Sequence, residues 1–154
     1  MKLLVVAVGH RMPEWVDAAF AEYAARMPRE MRIELIALKP APRGSGSVRA
    51  IEAEGKRILA AVPPGCTTVA LDERGAPFTT AELARRLARW RQGGRNIAFL
   101  VGGADGLAED VKKSSDALWS LSALTLPHGL ARVVLAEQLY RAASILHNHP
   151  YHRE

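Results

Sequence analysis

The sequence predicts an α/β fold built on a parallel sheet with helices on its faces. Three observations carry that expectation. Residues 3–8 (Leu-Leu-Val-Val-Ala-Val) form an unbroken apolar run, the pattern of a strand buried on both sides. Further strand-like runs follow at 31–38, 67–71, 96–101 and 117–121, each separated from the next by a helical stretch, and such alternation belongs to βαβ units. A long run over 130–147 carries apolar residues around most of a helical circumference, the mark of a helix covered on more than one side.

The elements follow in order. Pro13 suits a helix start, and Val16, Phe20, Tyr23, Ala24 and Met27 then recur at helical spacing. The second strand spans 31–38. Residues 39–47 are rich in Pro, Gly, Ser and Arg and read as a mobile loop. A helix over 48–62 presents Ile51, Ile58, Leu59 and Val62 as its apolar side and ends at Pro63-Pro64-Gly65. Residues 67–71 read as a short buried strand, with Asp72-Glu73-Arg74-Gly75 as its turn. Thr79 or Thr80 caps the next helix, which turns Leu83, Leu87 and Trp90 inward and Arg85, Arg86, Arg89 and Arg91 largely outward before Gly93-Gly94 stops it. A strand at 96–101, a glycine turn, a short helix at 109–115 and a last strand at 117–121 lead to the long helix. There Glu137, Arg141, Ser144 and Asn148 follow a narrow polar stripe, with Arg132 and Gln138 off it. One side of that helix is expected on the sheet and the other on a second protomer.

Composition bounds the function. A chain of 154 residues is one domain by size, so 1–154 is treated as a single domain. No apolar run approaches a membrane span, and the short opening run broken by His10-Arg11-Met12-Pro13 reads as a first strand in a cytoplasmic protein rather than a signal peptide. The single cysteine, Cys66, permits no internal disulfide framework and reads as a small buried hydrophobe. Lys and Arg number 21 against 16 Asp and Glu, a net charge of +5. All but five of those cations are arginine, whose planar fork suits phosphate and stacks on bases, so a nucleic-acid partner fits; a GC-rich coding bias toward Arg is the alternative.

Loops at the carboxyl ends of parallel strands form the binding crevice. Here they are 72–76, 102–106 and 122–129, which converge if their strands are neighbours. Gly102-Gly103-Ala104-Asp105-Gly106 lies between a strand and a helix, where glycines let backbone N–H groups approach a ligand; a tight turn with no ligand is the alternative. The chain has no Gly-x-Gly-x-x-Gly fingerprint and no P-loop, which argues against a dinucleotide oxidoreductase and a P-loop NTPase. The stretch Leu121-Ser122-Ala123-Leu124-Thr125-Leu126 holds no charge, and so apolar a loop suits an adenine or a thioether better than a triphosphate. The tail from Asn148 gathers His149, Tyr151, His152 and Arg153. Its spacing matches no metal site, so no metal is expected; Tyr151 suits base stacking and Arg153 suits phosphate. On these motifs alone, a non-catalytic RNA-binding protein and a flavodoxin-like nucleotide binder stand beside an enzyme.

At these residues the chain resembles the ribosomal large subunit methyltransferase H family, small members of the SPOUT superfamily. The likeness runs end to end. It is clearest in Val5-Val6-Ala7-Val8-Gly9, Met12-Pro13-Glu14-Trp15, Leu71-Asp72, Gly102-Gly103-Ala104-Asp105-Gly106, Trp119 to His128 and Asn148 to Glu154. The resemblance implies an S-adenosyl-L-methionine-dependent methyltransferase acting on N3 of a pseudouridine in helix 69 of 23S rRNA, in the assembled 70S ribosome. It also implies a homodimer with a deep C-terminal trefoil knot, where periodicity alone predicts an open doubly wound sheet. By the same carry-over, Leu71, Gly102, Gly103 and the loop Leu121, Ser122, Ala123, Leu124, Thr125 and Leu126 meet the cofactor. His128, Arg141, Tyr151 and Arg153 line the substrate side, with the tail reaching the partner's pocket.

Methyl transfer to an imide nitrogen needs in-line approach and a free lone pair. A cation beside the imide favours its anion; Arg141 or Arg153 supplies that charge, and His128 is the base by residue type. A helix-start histidine that merely bonds backbone, and an i, i+4 ion pair between Glu137 and Arg141, are the alternatives.

Overall fold

The computed structural model describes residues 1–153. Five strands form one parallel sheet: β1 (Lys2–Val8), β2 (Arg32–Leu38), β3 (Thr67–Pro77), β4 (Ile97–Val101) and β5 (Ala117–Ser120). Their order across the sheet is β2-β1-β4-β3-β5. Helices α1 (Glu14–Arg26), α2 (Ser47–Ala61), α3 (Thr80–Gly93), α4 (Glu109–Ser114) and α5 (His128–Leu146) connect or follow them, and a 3₁₀ turn at Pro150–Arg153 closes the described chain.

The central strands show why the apolar runs are unbroken. Leu3, Val5 and Ala7 of β1, with Ile97, Phe99 and Val101 of β4, point into one core. Leu4, Val6 and Val8, with Ala98 and Leu100, point into the other. Alternate residues face opposite sides of a strand, so a strand covered on both faces must be apolar at every position. The first core holds Phe20 of α1, Leu83 and Leu87 of α3, and Leu135 and Leu139 of α5. The second holds Ile58 of α2 and Val111 of α4.

Helix α3 is fixed at both ends. The Thr79 hydroxyl accepts from the Glu82 N–H at 3.1 Å, and the Glu82 carboxylate accepts from the Thr79 N–H at 2.7 Å, a reciprocal capping box. Gly94 ends the helix in the left-handed region at φ 71°, a conformation glycine adopts without penalty.

The structure corrects several expectations. Residues 72–75 are no chain reversal. Strand β3 continues to Pro77, and both Leu71 and Ala76 pair with Trp119 of β5, so 72–75 is a bulge looped out of one strand. Gly75 is required there, since a Cβ would stand 2.6 Å from the Trp119 carbonyl carbon. On α2 the buried face is Ala50, Glu54, Gly55 and Ile58, while Leu59 is exposed. The buried carboxylate of Glu54 draws the helix round: it accepts from the Ala41 N–H at 2.9 Å and from Arg43 at 2.9 Å. Those bonds also fasten the 39–47 segment that its composition assigns to a mobile loop. Helix α5 starts at His128, directly after Pro127. Within one chain it packs against both α1 and α3, which accounts for the burial of Leu135, Ala136, Leu139, Ala142 and Ala143 without a second chain. Ser144, from the expected polar stripe, is also buried, its hydroxyl donating to the Arg141 carbonyl at 2.6 Å. Cys66 is half-buried against the second core, and burial pushes its thiol pKa up. Among the described residues no helix is long and apolar enough to cross a membrane.

Thr79→Ala removes one half of the capping box. We expect a loss of about 1 kcal/mol, read as a lower urea midpoint with an unchanged denaturant slope.

Candidate active site

Because β3, β4 and β5 are adjacent and parallel, their carboxyl ends lie at one edge and their following segments meet. They enclose a cleft of about 790 Å³, a size that accommodates a cofactor-scale ligand. Its walls are Leu71, Asp72, Glu73 and Arg74 from the β3 bulge, the turn after β4 from Gly102 to Leu107, and the loop after β5 with Leu121, Ser122, Leu124, Thr125 and Leu126. His128 and Ala131 of α5 close the inner end. Ala123 is exposed and does not line the cleft.

The glycine turn is tight. A Cβ on Gly102 would sit 2.5 Å from the backbone carbon of Gly106, and Gly106 itself adopts φ 83°. The Gly106 N–H donates to the Gly103 carbonyl at 3.1 Å, which closes the turn. A strap holds it from behind. Arg43 donates to Glu54 at 2.9 Å and reaches Asp105 of the turn at 3.1 Å, so the 39–47 segment, α2 and the glycine turn are tied by one guanidinium. The opposite wall is tied as well: Thr125 Oγ1 donates to Glu73 at 2.9 Å, and Lys112 of α4 pairs with Asp72 at 3.4 Å. The apolar loop is shaped by its own hydroxyls, with Ser120 Oγ donating to the Ser122 carbonyl at 2.8 Å and Ser122 Oγ accepting from the Leu124 N–H at 2.9 Å.

His128 is half-buried at the first residue of α5. Burial pulls its pKa below the usual 6.5, and the neighbouring positive charge of Arg132 pulls it further; the Glu54 charge opposes both. The imidazole is therefore held neutral at physiological pH, the form that accepts a proton. Arg132, one turn along α5, is 1 % exposed. Its Nη2 donates to the carbonyls of Val8 at 3.3 Å and Gly9 at 3.0 Å, which fastens the start of α5 to the end of β1. Sequence reasoning placed Arg132 off the polar stripe and gave it no role. No local pattern in the sequence marks it as buried.

Arg141 and Tyr151 stand elsewhere. Arg141 Nη2 pairs with Glu137 at 2.7 Å, and the Tyr151 hydroxyl donates to the same carboxylate at 3.1 Å. The Arg141 guanidinium lies 4.8 Å from the centroid of the Tyr151 ring, which packs on Tyr140 at 4.6 Å. Burial raises the Tyr151 pKa, helped by its bonds to Tyr23 and Glu137, so the phenol stays protonated. Arg153 is exposed on the closing turn. Thirteen helical residues separate His128 from Arg141, roughly 20 Å of rise along α5. A single chain thus brings His128 and the cleft residues together, and separately Arg141 with Tyr151; it does not join the two groups.

A family model described as "Predicted SPOUT methyltransferase" matches residues 1–152. The chain belongs to the SPOUT methyltransferase family. Similar curated relatives extend over nearly its whole length. The ribosomal RNA large subunit methyltransferase H of Nitrosospira multiformis is 55 % identical over 155 residues, covering 99 % of each chain. That of Laribacter hongkongensis is 53 % identical over 156 residues, covering 100 % of each. A probable methylase family protein from Haemophilus influenzae Rd KW20 superposes with a TM-score of 0.56 at 13 % identity, over 95 % of this chain and 66 % of that one, a likeness of fold.

Arg43→Ala leaves the Glu54 carboxylate buried with one partner fewer. We expect a loss of roughly 1–3 kcal/mol in chemical denaturation, together with faster proteolytic nicking within residues 39–47. An unchanged nicking rate would dismiss the strap.

Proposed function

We propose that this chain is an S-adenosyl-L-methionine-dependent rRNA methyltransferase that modifies N3 of a pseudouridine in helix 69 of 23S rRNA within the 70S ribosome. It works as a cytoplasmic homodimer whose C-terminal segment after β5 forms the trefoil knot of its family. The observation that carries the reading is the cleft: a glycine turn, an apolar loop and a neutral imidazole meet at adjoining strand ends. The full-length likeness to large subunit rRNA methyltransferases supports the substrate class.

The residues present fit the cofactor. Leu71, Leu121 and Leu126 provide apolar walls for an adenine and a thioether, and the turn and loop offer backbone edges. The carboxylates of Asp72, Glu73 and Asp105 in the lining suit hydroxyls and a cation. The donor's part is to present a methyl group on a positively charged sulfur.

The protein's part is to ready the acceptor nitrogen. An imide N3 carries a proton, and its lone pair is free only once that proton leaves. His128, held neutral by burial and by Arg132, takes the proton. A guanidinium beside the ring stabilises the resulting anion: a charge at 4 Å contributes about 4 kcal/mol at an effective dielectric of 20. Arg141 is presented for this, oriented by Glu137 and backed by the Tyr151 ring, with Arg153 exposed on the closing turn to hold phosphate. Since Arg141 and Tyr151 lie far along α5 from His128 in one chain, those of one protomer serve the cleft of the other.

Three outcomes test this. Arg141→Ala lowers kcat on 70S ribosomes by at least about tenfold, the range of a lost charge-stabilising contact, while calorimetry finds cofactor affinity nearly unchanged; equal losses in both would remove the assigned role. His128→Gln and Arg141→Ala proteins, each strongly impaired alone, regain part of the activity when mixed and allowed to exchange subunits; no recovery would place each site within one chain. Activity falls on the acid side as His128 protonates, below its usual 6.5, and His128→Gln removes that limb from the pH profile.

A further inference from the structure

The cleft and the tail leave one charged surface without a role. On α3, Arg85, Arg86, Arg89 and Arg91 are all exposed. The helix has a single acid, Glu82, and its carboxylate is committed to the capping box. Some arginines elsewhere in the fold are engaged, Arg26 with Glu22, Arg43 with Glu54 and Asp105, Arg57 with the Lys39 carbonyl and Arg141 with Glu137; others, such as Arg29, Arg32 and Arg95, are exposed like those of α3, but α3 gathers four on one helix. Among the described residues, Arg85, Arg89 and Arg91 have no such partner. Arg85 and Arg89 stand at i, i+4, where like charges work against a helix, so helix stability does not explain the spacing.

The surface is rigid and runs to the cleft. A capping box and a left-handed glycine fix the two ends of α3. The Arg86 guanidinium lies over the Trp119 ring, 5.8 Å from its centroid. The backbone of Trp119 is what Gly75 abuts, and the preceding residue, Arg74, is exposed on the cleft rim. Of the rim carboxylates, Asp72 pairs with Lys112 and Asp105 with Arg43, while Glu73 accepts from the Thr125 hydroxyl. Trp119 therefore joins the bulge that carries Arg74 on the cleft rim to Arg86 of α3, the helix that also exposes Arg85 and Arg89.

We propose that this arginine face is a docking track for an RNA phosphate backbone, which holds the strand flanking the base presented to the cleft. The inference rests on the rRNA reading above. The partner is RNA because planar, uncompensated guanidinium forks at regular spacing match successive phosphates, and because such contacts supply most of the affinity for nucleic acid.

The test is the double variant Arg85→Gln, Arg89→Gln against wild type, with Arg49→Gln, Lys56→Gln on the exposed side of α2 as control. Binding to 70S ribosomes and to protein-free 23S rRNA is measured from about 50 to about 200 mM salt, without cofactor. Two lost phosphate contacts should flatten the slope of log K against log salt by about 1.4–1.8 on both ligands, with the control unaffected. Thermal melting and calorimetric cofactor affinity should match wild type. An unchanged slope, or an equal change in the control, overturns the track. A loss on ribosomes with none on protein-free rRNA also overturns it, assigning the face to an acidic protein. Failure of the methyltransferase reading would appear separately, as a wild type that binds neither donor nor ribosomes productively, because the slope comparison uses no turnover.

Discussion

The cleft depends on the parallel pairing of β4 with β1 on one side and β3 on the other. Leu3 to Ala7 and Thr67 to Leu71 run in register with 97–101, so Ala7, Val101 and Leu71 stand level, with the β3 bulge just beyond. A parallel sheet cannot be closed by hairpins; every return passes over a face, and every strand therefore delivers its next segment to the same edge. The glycine turn after β4 and the apolar loop after β5 meet the β3 bulge because of that direction. Burial on both faces makes the pairing secure, since slipping β4 by one residue would move Phe99 from the roomy core under α3 and α5 to the face occupied by Ala98 and Leu100.

Arg132 extends this constraint to the last helix. Carbonyls at the end of β1 need donors once α5 has covered them, and an unpaired buried carbonyl is costly. The Arg132 guanidinium satisfies Val8 and Gly9 together. Two consequences follow from one side chain. The start of α5 is fixed against the sheet, which sets His128 at the inner end of the cleft. A positive charge is also buried beside that imidazole, where it adds to the larger effect of burial in lowering the His128 pKa. Gly9 is part of the same junction: its φ of 119° is a backbone conformation that strains any residue with a side chain.

How much of this was legible depended on whether the cause was local. Central strands are legible because burial on both faces leaves the same mark at every position. The α3 cap was legible because Thr79 and Glu82 are three residues apart. The 72–75 bulge was misread because its polar residues match the composition of a turn; its cause is the double pairing of Trp119, more than forty positions away. Residues 39–47 have a flexible composition, yet Glu54 and Asp105 hold Arg43, contacts with no sequence period. The three cleft segments were legible as a set because the strand-end rule names them before the strand order is known. Arg132 was not, since nothing local tells a buried cation from a helix-face one.

Helix α5 carries two separate polar systems, and their separation is the structural fact from which the dimeric reading grows. At its start, burial and a fixed cation produce a neutral base facing the cleft. Near its end, Glu137 holds Arg141 and Tyr151 in a packed cluster with Tyr140. A straight helix keeps the two apart by about 20 Å, and α1 and α3 clamp it on both sides, so no bend brings them together. The half-buried Leu130, Val133 and Val134 lie outside the core that those clamps enclose. An apolar helix stretch left partly open, and a cationic cluster held far from His128, are the two features on which the proposed second copy across α5 rests.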